Sequence, residues 1–410
     1  MDFTIPEEVA AVGDALLKFI DREIVPLERD HAHLLSSERR LFDESGRYVP
    51  EVLALRKQVR MRSAELGFYN LFGDERIGGD GLGAVAAVYL QDLLNEHCGP
   101  DRSLIQTVVL PSPFTNGLSP VLTHLPTATF RRYEEGIRNG SSILCFALSE
   151  PDAGSDIHSM KTRAVRQGAG WVINGTKQWI TNSPYADYAM VFAITNDDAF
   201  KARKGGVTGF FVPTNSPGFS VPSIIPVMGH QGGETGIISL DNVHVDDDMR
   251  LGEVDEGLAV ALQGVNTGRL SMAGSCIGLA RWALRQATEY AKVRKTFGKP
   301  IAEHQAVQFL LADSAIDIYA AKCMALNLAW RIDEGQTAIK ETSIVKAFAT
   351  EMLMRVMDRC MQVHGGMGLT NELRLEAGLR YARLLRIPDG TSEIQRRAIA
   401  TQMLRGDCEF

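Results

Sequence analysis

The chain has 410 residues, of which 45% are hydrophobic and 23% charged, with a formal net charge of −7. That length supports two or three domains with sizeable cores. The acidic balance, with both signs interspersed, leaves no basic track for a nucleic-acid backbone and so argues against a nucleic-acid partner.

No apolar run approaches the length of a membrane span. The opening Met1-Asp2-Phe3-Thr4-Ile5-Pro6 lacks the charged start and apolar run of a signal peptide. Cys98, Cys145, Cys276, Cys323, Cys360 and Cys408 are scattered and never form C-x-x-C. They fit reduced, mostly buried thiols in a cytoplasmic protein, not a disulfide framework or a zinc site.

The first third has helical periodicity. Val9, Val12, Leu16, Leu17 and Ile20 recur at one-face spacing, and similar patterns return over Val52–Leu66, Ala84–Glu96 and Thr129–Arg138. Gly78-Gly79-Asp80-Gly81-Leu82-Gly83 has no strand before it, so it is expected to be a flexible loop, not a phosphate cradle. The pattern then changes. Ser142–Ser149, Lys161–Gln167, Trp171–Ile173, Thr176–Thr181, Tyr188–Thr195, Gly209–Pro213 and Ile237–Leu240 are short and β-rich. Asn174-Gly175 between two of them predicts a hairpin turn. Asp246-Asp247-Asp248 follows a strand-like segment without ligand spacing and is expected to be a solvated turn.

From Gly257 helical periodicity returns, over Leu270–Arg294, Glu303–Glu334 and Thr342–His364, with Thr391–Leu404 closing the set. Ile344, Phe348, Met352, Val356 and Cys360 repeat every fourth residue, so the methionines are expected in a bundle core. The fold class is therefore α+β and multidomain: an N-terminal all-α domain (1–140), a middle β-barrel-like domain (141–252) and a C-terminal four-helix bundle (253–410). Near the end, Asp389-Gly390 is a turn dipeptide, and Ser392-Glu393-Ile394-Gln395 fits an S-x-x-Q capping box. One carboxylate is thereby placed on a short loop in front of a helix start.

Five segments carry a resemblance. They are Phe146-Ala147-Leu148-Ser149-Glu150-Pro151-Asp152-Ala153-Gly154-Ser155-Asp156, then Trp179-Ile180-Thr181-Asn182, then Arg294-Lys295-Thr296-Phe297-Gly298-Lys299-Pro300-Ile301 with Gln305. Gln362-Val363-His364-Gly365-Gly366-Met367-Gly368 and Asp389-Gly390-Thr391-Ser392 complete the set. In order and spacing, across nearly the whole chain, they resemble the acyl-CoA dehydrogenase family of FAD-dependent oxidoreductases. Each is weak alone, and the five in sequence are specific.

The resemblance implies FAD as cofactor, an acyl-CoA substrate, a place in fatty acid metabolism and a homotetramer built as a dimer of dimers. An electron-transferring flavoprotein is the implied electron acceptor. Phe146, Leu148 and Ser149 would contact the isoalloxazine, Trp179 would shield it and Thr181 would reach N5. Arg294, with Thr296, Phe297 and Gln305, would reach the pyrophosphate. Arg294, Gln362, Gly365 and Gly366 would come from the neighbouring subunit, and Thr391 and Glu393 would complete the cofactor set. Ser155, Asn266, Arg269 and Gly390 are the implied substrate contacts, although several relatives have Asp where this chain has Asn266.

The implied reaction is α,β-dehydrogenation of the thioester to the 2-enoyl-CoA, with Asp389 as the catalytic base removing the α-proton and hydride passing to flavin N5. Most relatives carry Glu at that position, so the carboxylate is withdrawn by roughly 1.5 Å, one C–C bond. Some place the base immediately before the residue matching Arg269, which is Gly268 here. Two branches of the family use Asp, a subset of the dehydrogenases and the nitroalkane oxidases. The alternatives are accordingly a nitroalkane-oxidase-like flavin oxidase and a non-catalytic flavin-binding member.

Overall fold

The computed structural model describes residues 4–228 and 233–409, so Met1-Asp2-Phe3 of the opening segment lie outside it. In chain order the longer helices are α1 (Glu7–Phe19), α2 (Pro50–Glu65), α3 (Gly83–Cys98), α4 (Thr127–Arg138), α5 (Gly257–Val293), α6 (Gln305–Asp333), α7 (Ile339–His364), α8 (Leu375–Leu385) and α9 (Ser392–Leu404). The principal strands are β1 (Leu144–Ala147), β2 (Arg163–Gln167), β3 (Gly170–Thr181), β4 (Tyr188–Ile194), β5 (Val207–Pro213), β6 (Phe219–Ile224), β7 (Thr235–Asp246) and β8 (Arg250–Leu251). A small hairpin, β9 (Lys295–Thr296) and β10 (Lys299–Pro300), follows α5. This is the expected α+β organisation, with a sheet and helical N- and C-terminal parts. Two compact units divide the chain. One gathers the N-terminal segment to Val25, Gly83–Arg102 and the chain from Arg269; the other comprises Pro26–Leu82 and Ser103–Gly268.

In the second unit the strands lie in the order β6-β7-β3-β2-β4-β5-β8, with β1 parallel to β4. Phe192, Phe210, Phe211, Val191 and Ile238 are fully buried in its core. The turn between β2 and β3 is Gly168-Ala169, because Gln167 pairs with Gly170. Asn174-Gly175 instead lies inside β3, where a register shift occurs opposite β7. The reason is steric: a Cβ on Gly175 would stand 2.7 Å from the Thr162 backbone. That glycine permits a close approach and does not make a turn.

Two other expected loop segments carry defined contacts. The glycine loop before α3 is pinned by four backbone bonds, from Gly79, Asp80, Gly81 and Leu82 to Asp74, Asn70, Gly73 and Leu71. Asp247 and Asp248 are not merely solvated. Asp247 accepts from Trp171 Nε1 at 2.8 Å and Arg250 Nε at 3.0 Å, and Asp248 accepts from Thr129 Oγ1 at 3.0 Å.

In the first unit α7 packs against α6, α8 and α9. Met352, Leu353, Val356, Met357 and Cys360 fill its buried side, which places these methionines in the bundle core. Helix α8 adds to the helices expected there. It is entered through Arg374 in the left-handed region, whose Nη1 donates to Pro100 O at 2.7 Å. Helix α5 starts at Gly257, well before Leu270, and two of its later glycines are packing contacts. A Cβ on Gly278 would stand 2.2 Å from Asp92 O and one on Gly274 2.6 Å from Val88 O, so α3 and α5 meet nearly backbone to backbone. Asp333 caps α3 by accepting from Ala84 N and Val85 N at 2.6 and 2.9 Å.

None of the six cysteines is in a disulfide; four are buried, Cys323 is half-buried and Cys408 exposed. Among the described residues no helix is long and apolar enough to cross a membrane.

Candidate active site

In the sheet unit, Phe146 lies on β1, with Leu148 and Ser149 just beyond its end; all three are half-buried. The Phe146 ring packs between Phe114 and Phe192, at centroid distances of 5.1 and 5.0 Å. Across from them β3 bulges, because Lys177 pairs with Ile238 while Ile180 pairs with Gly236. The bulge turns Gln178 and Lys177 towards the loop after β1. Gln178 N donates to Ser149 O at 2.9 Å, and Lys177 Nζ donates to Leu148 O at 3.1 Å and Glu150 Oε1 at 2.8 Å.

The same bulge holds Trp179 at φ +65° with 53% of its surface exposed. Thr181 is exposed while Ile180 between them is buried, so indole and hydroxyl share the open face. A bulky residue in the left-handed region carries strain, and an exposed indole adds nothing to the core, which makes Trp179 a candidate stacking surface. Ser155 stands exposed on the loop that follows, and Asn266 is half-buried on α5, one turn before Arg269.

In the helical unit the Asp389 loop is clamped from three helices. Arg269 Nε donates to Asp389 O at 2.8 Å, Gln395 Nε2 to Asp389 O and Gly390 O at 3.0 Å each, and Lys346 Nζ to Gly390 O at 2.8 Å. Both loop residues take left-handed backbone, φ +58° at Asp389 and +92° at Gly390. Gly390 is required there, since a Cβ would meet Gln395 Nε2 at 2.8 Å. Their carbonyls are drawn onto the helix side chains. Asp389 keeps part of its surface open to solvent, yet protein atoms crowd its carboxyl group. That desolvation pushes its pKa up to about 6, against the opposing pull of the Lys346 and Arg269 charges.

The cap of α9 differs by one residue from the expected box. Thr391 is the N-cap, its Oγ1 accepting from Ile394 N at 3.3 Å. Gln395, fully buried, reaches to the Asp389 and Gly390 carbonyls, not back to the cap. Glu393 is exposed on the first turn.

The far end of α5 carries the remaining cofactor candidates. Arg294, Phe297 and Gln305 are exposed around the β9–β10 hairpin, with Phe297 at 95%, and Thr296 Oγ1 lies 3.4 Å from His304 Nε2. The Tyr290 ring packs at a tilt against His364, centroids 4.6 Å apart, which brings this end of α5 to the end of α7 and so to Gln362, Gly365 and Gly366. A Cβ on either glycine would meet nothing within 4 Å. Gly365 has φ +57° to justify it, but Gly366 has neither a positive φ nor a packing neighbour. Its missing side chain leaves backbone open to a ligand.

One separation is decisive. Arg269 and Arg294 stand at opposite ends of about seven turns of α5, on the order of 35 Å apart. The Asp389 loop and the Arg294 group of one chain are therefore not brought together.

Sequence reasoning missed Lys346 and the Lys177–Glu150 pair. The available signal was a lysine at an apolar-face position, Ile344-Val345-Lys346-Ala347-Phe348, in an otherwise buried stripe.

The model for the acyl-CoA dehydrogenase middle domain matches residues 145–243, and that for the acyl-CoA dehydrogenase C-terminal domain matches 255–404. The probable acyl-CoA dehydrogenase YngJ of Bacillus subtilis (strain 168) is 33% identical over 405 residues, 99% of this chain and 100% of that one. The caffeyl-CoA reductase-Etf complex subunit CarC of Acetobacterium woodii is 34% identical, covering 88% of this chain and 92% of its own. The solved FAD complex of PigA superimposes with a TM-score of 0.84 at 25% identity, covering 99% of this chain and 100% of that one. This chain belongs to the acyl-CoA dehydrogenase family.

Proposed function

We propose that the protein is an FAD-dependent acyl-CoA dehydrogenase that converts an acyl-CoA thioester to its 2-enoyl-CoA, with Asp389 as the base. The observation that carries this reading is the clamped Asp389 loop, a desolvated carboxylate with its pKa raised to about 6. Such a group is ionised at neutral pH and still basic enough to take a proton, as general-base catalysis requires. FAD, when bound, would supply the acceptor for the β-hydrogen, which leaves as hydride with the electron pair of its C–H bond. Asp389 takes the α-proton, and the electrons of that bond form the new C=C. The Asp389 backbone N–H is the proposed donor to the thioester oxygen, where negative charge develops. Arg269, Asn266, Gly390 and Ser155 are the proposed substrate contacts.

The residues fit FAD. Trp179 and Thr181 offer an exposed ring and hydroxyl on one face, next to Leu148 and Ser149. Arg294 offers a guanidinium suited to a pyrophosphate, and Gly366 leaves an open backbone. Phe146, Thr296, Phe297, Gln305, Gln362, Gly365, Thr391 and Glu393 complete the proposed set.

The separation along α5 supports assembly, since a flavin contacted by both the Asp389 loop and Arg294 needs two copies. Phe309, Ile316 and Tyr319 on one face of α6 are 58%, 67% and 74% exposed, an apolar face suited to a partner. The proposed state is a homotetramer, a dimer of dimers. The division into 1–140, 141–252 and 253–410 belongs to the same reading. An electron-transferring flavoprotein is the proposed acceptor, supported by the likeness to a subunit of an Etf complex.

The test is anaerobic titration of the yellow protein with a panel of acyl-CoAs. Bleaching without rapid oxygen consumption is expected. Bleaching by nitroalkanes with peroxide release, and by no acyl-CoA, would replace this reading with the oxidase. Colourless protein that takes up no FAD would remove both.

A further inference from the structure

Lys346 sits near the third turn of α7 on its buried side, only 1% exposed, between buried Ser343 and Thr350. A lysine sealed in this way is costly unless its charge is answered. Its hydrogen bond to Gly390 O satisfies a donor but is no counter-charge. The titratable groups bearing on it come from three elements: Cys276 and Arg269 on α5, Arg386 after α8, and Asp389 in the loop. Two of these are cations, and burial pushes the Cys276 thiol up to about 12, leaving it neutral. Of the four, Asp389 alone is an anion at neutral pH. Conversely, Lys346 and Arg269 are the charges that favour the Asp389 carboxylate against its desolvation.

The two residues are thus coupled twice, through the backbone of the loop and through charge. We infer that Lys346 is a positioning residue for Asp389: its ammonium anchors the Gly390 carbonyl and supplies the buried positive charge that keeps the neighbouring carboxylate ionised. This rests on the reading of Asp389 as the base. Burial draws the Lys346 ammonium down to about 8, so it remains mostly charged at neutral pH.

The experiment follows α-deuterium exchange and flavin bleaching of the holoenzyme as a function of pH in Lys346→Met, Lys346→Gln and Lys346→Arg. Loss of the charge should move the acid limb upward by about one pH unit or more, with a loss of roughly tenfold or more below it and partial recovery above. Lys346→Gln keeps a donor for Gly390 O without the charge and should show the same moved limb. It also carries the test if Lys346→Met does not fold. Lys346→Arg should leave the limb near its original position. A uniform loss at every pH with an unmoved limb in Lys346→Gln would reduce Lys346 to a packing role and overturn the inference. Asp389→Asn run alongside separates the two failures. If it exchanges as fast as the unmodified protein, the base assignment falls. If it is inactive while the Lys346→Gln limb stays in place, only the role of Lys346 falls.

Discussion

Lys177 Nζ stands 2.8 Å from Glu150 Oε1, with both side chains all but sealed from solvent, and the pair fastens the β3 bulge to the loop after β1. Glu150 also accepts from Lys161 N at 2.6 Å and Thr162 N at 3.1 Å. Burial alone would push the Glu150 carboxyl up, but the Lys177 charge and these donors outweigh it and hold it below the usual carboxylate range. The ammonium is drawn down to about 8 by burial, so at neutral pH the pair is ionic. It sets where Leu148, Ser149 and Trp179 stand relative to one another.

Lys177→Met should therefore cost about 3–5 kcal/mol, the usual penalty for leaving one member of a buried pair alone. Urea denaturation measures it. Adding Glu150→Gln to Lys177→Met should return much of the loss, because the orphaned charge is gone. A loss under about 1 kcal/mol for the single variant would make the pair no stronger than a surface ion pair.

Asp389→Asn should keep FAD and acyl-CoA binding but lose α-deuterium exchange and flavin reduction by several orders of magnitude. The unmodified enzyme should lose rate about tenfold per unit as pH falls below about 6, where the carboxyl protonates. Stability should respond with the opposite sign. A carboxyl whose pKa is raised on folding opposes folding once ionised, an effect absent below about pH 4, the unfolded value, and complete above about 6. Asp389→Asn should accordingly be at least as stable as the parent at pH 7.5. A clear drop in its melting temperature there would contradict the burial argument.

These features divide by what kind of information encodes them. Long periodic stretches such as Ile339–His364 declare themselves, because one helix face repeats through them. Asn174-Gly175 misleads, because the residue pair that favours a hairpin turn also suits a bulge pressed against Thr162. The early part of α5 runs through Gly264, whose packing against Val121 and Phe114 is visible only in three dimensions. Asp389 could be singled out from its loop. Its clamp could not, since Arg269, Lys346 and Gln395 come from three distant helices.

Asp389→Glu probes whether the loop is built for the shorter side chain. At φ +58° Asp is better tolerated than Glu, so some stability should be lost. The longer carboxylate should also crowd the substrate and lower the rate of flavin bleaching. A higher rate on ordinary acyl-CoAs would show instead that the loop retains the geometry of relatives that use Glu.

Arg294→Ala should weaken FAD retention on gel filtration while leaving helical content by circular dichroism unchanged, because its guanidinium lies exposed beyond the end of α5. Since the Asp389 loop and Arg294 of one chain are on the order of 35 Å apart along that helix, tight FAD binding should accompany assembly. A monomer by light scattering that holds FAD stoichiometrically would defeat the shared site.

Gly366→Ala separates a packing role from a ligand role at a single atom. The added Cβ would meet nothing within 4 Å of the chain, and the backbone there does not have positive φ. By packing alone the change should be neutral, within about 0.5 kcal/mol, as for other surface substitutions. If the open backbone is where the cofactor approaches, the same methyl group should collide with FAD. The expected outcome is an apoprotein with an unchanged melting temperature and FAD affinity reduced by tenfold or more in a reconstitution titration. The neighbouring Gly365→Ala should fail differently, losing stability as well, because its φ of +57° strains any side chain. Undiminished FAD affinity in Gly366→Ala would remove this segment from the cofactor site and leave His364-Gly365-Gly366 as no more than the end of α7.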